Sequence, residues 1–110
     1  MMREDTYPGL EADDFGGMTP IGNTIRDAWA FGLLPEGQTC SGWTLRALQR
    51  VHEQVVAVWE DCEYDTARLP TEWRAAHERI HKAAIARALE LGWKPEEREL
   101  PPVPKPGGRD

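Results

Sequence analysis

Residues 77–81 read His-Glu-Arg-Ile-His, an H-E-x-x-H pattern. On a helix, positions four apart share a face, so His77 and His81 could reach one Zn²⁺. Glu78, one residue on, would then act as a base on the metal-bound water. The spacing is chemically sound, but the neighbouring residues oppose it. Arg79 stands between the histidines and Lys82 follows them, setting two cations where a divalent ion would bind. A zinc site also needs a third protein ligand. In the longer form of the motif, Gly and His stand where this chain has Ala84 and Arg87. The remaining candidates are Glu90 and the acids of "PEERE" at 95–99. The expectation is therefore that no metal or other cofactor is held here. His77 and His81 would flank an apolar stripe beside Ile80, and Glu78 would pair with Lys82 across one helical turn.

A second spacing lies in "DCEYDTARLPTE", Asp61 to Glu72, with acids at positions one, three, five and twelve. That is the ligand register of an EF-hand loop. Its sixth position, where the backbone must turn through positive φ, is Thr66 rather than Gly. Glu63 is longer than the usual third ligand, and Pro70 restricts the exit. A solvated acidic loop is expected. Cys40 and Cys62 fit neither a zinc ribbon nor a C-x-x-C pair, so two free thiols are expected. "DDFGGM" and "KPGG" lack the strand and Lys-Ser/Thr of a phosphate loop. The five tryptophans carry more information. Trp59 and Trp73 fall on or beside apolar stripes. Trp29, Trp43 and Trp93 are expected to serve as anchors for a partner, since aromatic residues are favoured at interfaces.

Composition narrows the function classes. A net charge of −6 with no basic cluster excludes the phosphate-neutralising surface that nucleic-acid binding needs. The start has no apolar h-region, and the longest uncharged run, "AWAFGLLP" at 28–35, is too short for a bilayer. A cytoplasmic protein without membrane contact is expected. Residues 1–20 mix acids with Gly and Pro, and the last eighteen residues are rich in Pro and Gly. Both are expected to be flexible, because such segments bury too little apolar surface to offset ordering. "PPVPKP" within the second would be extended polyproline II.

The elements that must position these residues read as helices. After Ser41, expected as an N-cap, Leu45, Leu48, Val51, Val55, Val58 and Cys62 recur at three- and four-residue steps, one apolar stripe. A second helix follows "ARLP", capped by Thr71, with Trp73, Ala76, Ile80, Ala83, Ala84, Ala88 and Leu91 on one side and Gly92 as its stop. A shorter helix around "NTIRDAWAFGLL" precedes both. No window alternates as a strand does. The expected fold is all-α: an antiparallel hairpin with a shorter N-terminal helix laid across it, spanning 21–92 between the arm (1–20) and the tail (93–110).

Three segments resemble the helical N-terminal region of nitrile hydratase β subunits and their small accessory, or activator, proteins. "DDFGGMTPIG" is similar to the Gly-Gly-Met opening of the β subunit. "SGWTLRALQRVHEQ" resembles the Trp-Thr helix start. "EYDTARLPTEWRAAHERIHKAAIARALELG" resembles the family's aromatic-Trp helix ending in Gly. Thr71 and Glu72 replace the paired tyrosines usual before that Trp. The resemblance implies a helper or partial subunit that grips a metal-containing α-type partner, with no catalytic residue of its own. The reading from sequence is thus an accessory or structural subunit bound to a protein partner or to itself. The alternative is a minimal zinc hydrolase using His77, His81 and Glu78.

Overall fold

The computed structural model of the protein describes residues 6–94. Three α-helices account for most of them: α1 (Pro20–Ala30), α2 (Leu45–Asp61) and α3 (Thr71–Glu90). Short 3₁₀ turns occupy Leu10–Ala12, Asp14–Gly16 and Thr66–Arg68. Among the described residues there is no strand, only an isolated antiparallel bridge between Thr6 and Thr44. No helix among them is long and apolar enough to cross a membrane. The segments "PEERE" and "PPVPKP" lie outside the described residues.

Each helix starts and stops for a local reason. Thr19 caps α1 by accepting from the Gly22 N–H, and Pro20 fits the first turn, where its missing N–H costs nothing. α2 begins at Leu45 with Thr44 as its cap, three residues later than Ser41 would place it. Cys40 and Gly42 adopt left-handed backbone (φ 62° and 80°), so the chain cannot be helical before Trp43. Thr71 is the first residue of α3 rather than its cap; Pro70 holds the cap position without a side-chain bond. All three helices end alike. In α1 the Gly32 N–H bonds Trp29 O and the Leu33 N–H bonds Ala28 O. In α3 Gly92 bonds Leu89 O and Trp93 bonds Ala88 O, with Gly92 at φ 98° as expected. These paired bonds satisfy carbonyls that a helix end otherwise leaves open. α2 closes with the same two bonds, from Glu63 to Glu60 O and from Tyr64 to Trp59 O.

α1 packs closely against both long helices. One buried cluster gathers Ala28, Phe31, Val51, Val55, Cys62, Leu69 and Ile80 from all three. A second joins Tyr7, Leu10, Ile25, Cys40 and Leu48. Ile25 and Phe31 are almost wholly buried, and each such side chain stabilises the fold by roughly 1.5–3 kcal/mol relative to exposure. Cys40 and Cys62 are free thiols, one in each cluster.

The flexible arm expected over 1–20 does not hold for residues 6–20. Tyr7 and Leu10 are buried. The Tyr7 N–H donates to Trp43 O, the Gly42 N–H donates to Tyr7 O, and the Leu10 N–H donates to Thr39 O. Composition misled here because long-range contacts, invisible in a local window, offset the entropy of ordering this stretch.

Candidate functional site

Helix α1 carries Asp27 in its last turns, and α3 carries His77 and His81 one turn apart. Because α1 lies against α3, the three side chains meet. His81 Nε2 is hydrogen bonded to Asp27 Oδ1 at 2.7 Å, and His77 Nε2 lies 3.4 Å from the same oxygen. The other carboxylate oxygen, Oδ2, accepts from Trp59 Nε1 of α2 at 3.0 Å. One carboxylate therefore joins all three helices. One ligand atom from each of Asp27, His77 and His81 lies within 4.8 Å of the others. The side chains are 16%, 23% and 23% exposed, respectively, so the cluster opens to solvent on one side.

Aromatic rings border His77. Phe31 lies parallel to His77 (centroids 6.4 Å apart, 9° between planes), and Trp59 meets the same imidazole edge-on at 5.5 Å. The two imidazoles are 4.4 Å apart and tilted by 42°. Burial holds the His77 pKa below its ordinary value, and the neighbouring His81 pushes it the same way, while Asp27 opposes both. His77 thus favours the neutral form, the one that offers a lone pair.

The structure separates the residues of the H-E-x-x-H motif. His77 and His81 point inward together, but Glu78 is exposed and shares the outer surface of α3 with Ala75, Arg79 and Lys82. The ion pair formed on that side is Arg79 with Glu36, a bidentate contact at 2.8 and 3.0 Å. The cations expected to crowd the histidines are directed away from them. The third member of the cluster is Asp27, fifty residues upstream of His77, and not Glu90 or the acids at 95–99. Its signal in the sequence is slight: a lone carboxylate at the head of the uncharged run 28–35.

The loop between α2 and α3 is exposed and acidic, as expected. Asp65 caps the turn by accepting from the Ala67 N–H, and Glu63 and Asp65 face Arg68. Among the described residues, the group of metal-capable side chains that converges is Asp27, His77 and His81, not the loop acids.

Two of the three expected anchors, Trp29 and Trp43, also pack into the fold while staying partly exposed. Trp29 donates to Gln38 O at 3.0 Å, and Trp29 and Trp43 pack against both buried clusters. Trp93 is half-buried at the end of α3, where its N–H closes the cap. "DDFGGMTPIG" also has a structural account. Asp13 accepts from Tyr7 Oη, Thr19 Oγ1 and the Asp14 N–H at 2.6–2.7 Å. The buried Arg26 guanidinium donates to Gly16 O and Gly17 O at 2.6 and 2.8 Å. A Cβ at Gly22 would fall 1.9 Å from Gly17 O, so only glycine lets α1 approach that turn.

Chemically, the cluster offers two imidazole nitrogens and one carboxylate oxygen, and Glu78 stands outside it. The sequence matches no protein-family model, and the chain matches no curated protein and no solved structure.

Proposed function

We propose that the chain is a small helical accessory subunit that binds another protein and carries no hydrolytic centre. The observation behind this reading is the outer side of α3. Ile85 and Leu89, four residues apart on one face, are 44% and 51% exposed. Ile80, Ala84 and Ala88 are meanwhile buried on the inner side. A helix that serves only its own core presents a polar outer face. An apolar pair left exposed beside the buried face fits a second surface to cover it. In this reading α2 and α3 form the arms of an antiparallel hairpin, α3 is the contact helix, and Trp93 borders the surface at its end.

The kind of partner follows from the resemblance noted in the sequence: a metal-containing α-type subunit of a nitrile-hydratase-like enzyme. The zinc-hydrolase alternative loses ground because Glu78 is exposed beside Ala75, Arg79 and Lys82 rather than turned into the cluster. Native mass spectrometry of the chain mixed with such an α subunit tests the proposal. A one-to-one complex is expected, weakened more than about tenfold, or about 1.4 kcal/mol, by the pair Ile85→Glu and Leu89→Glu with helical circular dichroism unchanged. Absence of a complex at micromolar concentrations would reject this partner. Self-association abolished by the same pair would assign the face to a second copy.

A further inference from the structure

We infer that Asp27, His77 and His81 form a binding site for a divalent transition-metal ion. This goes beyond the partner-binding reading and does not depend on it. The donor set is the first reason: two imidazoles and one carboxylate suit Zn²⁺, Co²⁺ or Fe²⁺, and three protein ligands leave a position open for water. The solvent-facing side of the cluster supplies that opening.

Geometry is the second reason. Ligand atoms about 2.0–2.1 Å from a tetrahedral ion stand roughly 3.3 Å from one another. His77 Nε2 and Asp27 Oδ1 are already 3.4 Å apart. His81 Nε2, at 2.7 Å from that oxygen, has to withdraw by about 0.6 Å on this tetrahedral geometry, a small side-chain rotation. The i,i+4 spacing aims both Nε2 atoms at one point, as in helical two-histidine sites.

The third reason is what holds the ligands in place. Trp59 Nε1 fixes Asp27 Oδ2 and leaves Oδ1 facing the imidazoles, the outer support that orients a ligating carboxylate. Phe31 and Trp59 restrain the His77 ring from two sides. The ion would thus tie α1 to α3. Glu78 takes no part in the site, which separates it from the hydrolase motif that its two histidines imitate.

The test is titration of the full, chelator-treated chain with Zn²⁺, followed by calorimetry and native mass spectrometry. One Zn²⁺ per chain is expected. Asp27→Asn and His81→Gln should each weaken binding more than about tenfold, while Glu78→Gln and His52→Gln leave it unchanged. Two-dimensional NMR of the unaltered chain provides a readout that no variant can spoil by misfolding. The imidazole signals of His77 and His81 should shift on adding Zn²⁺ and those of His52 should not. No stoichiometric binding would overturn the inference, and so would binding that survives Asp27→Asn, which would place the ion elsewhere. Equal loss in Glu78→Gln would also overturn it, by making Glu78 a ligand of the ion in place of Asp27.

Discussion

Asp13 gathers three donors onto one carboxylate. Burial raises its pKa, but the bonds from Thr19, Tyr7 and the Asp14 N–H, helped by the charge of Arg26, outweigh burial and hold it below the usual carboxylate value. A depressed folded-state pKa stabilises the fold at pH above the unfolded value, near 3.9, and that contribution disappears as pH falls through the folded value. Asp13→Asn should therefore cost about 1–3 kcal/mol at neutral pH. The gap to the unaltered chain should narrow at acid pH, as urea unfolding at about pH 7 and about pH 3 would register. Asp13, Gly16 and Gly17 were visible in the sequence only as a glycine-rich acidic stretch. Their role depends on Tyr7, Thr19 and Arg26 arriving from outside it. Asp27 was hidden for the same reason. Local spacing paired the histidines correctly, but the carboxylate completing them comes from another helix.

At the scale of elements, apolar recurrence at three- and four-residue steps was enough to place all three helices, and Gly92 marked the end of α3. The start of α2 was misjudged because left-handed backbone at Cys40, a residue type that seldom adopts it, cannot be read from composition. The end of α2 shows the same departure. Glu63 takes the position after the helix that Gly32 and Gly92 fill elsewhere, at φ 58°, and Tyr64 follows at φ 59°. Left-handed backbone costs a non-glycine residue roughly 1–2 kcal/mol. The Tyr64 ring offsets part of this by stacking on Trp59 at 6.1 Å. The exposed contact of Glu63 with Arg68 adds little. Glu63→Gly should accordingly raise unfolding stability by roughly 1 kcal/mol, measurable as a higher urea midpoint with an unchanged slope.

Across the whole molecule, the least legible feature was the way residues 6–19 close over the helices. They lack periodicity, and their burial depends on α1, on the turn before α2 and on the end of α3. Gly22 is the point where this segment and α1 come closest. Gly22→Ala should destabilise the protein by at least about 2 kcal/mol, in the range of overpacked cores. It should also admit protease cleavage between Tyr7 and Met18 under native conditions, where the unaltered chain is expected to resist it. The bonds from Tyr7 to Gly42 and Trp43 carry a further consequence for the order of events during synthesis. Tyr7 and its neighbours have no surface to settle on until the turn before α2, made after them, has left the ribosome. Residues made early are thus placed late, and closing that loop sets a contact that local helix formation cannot anticipate.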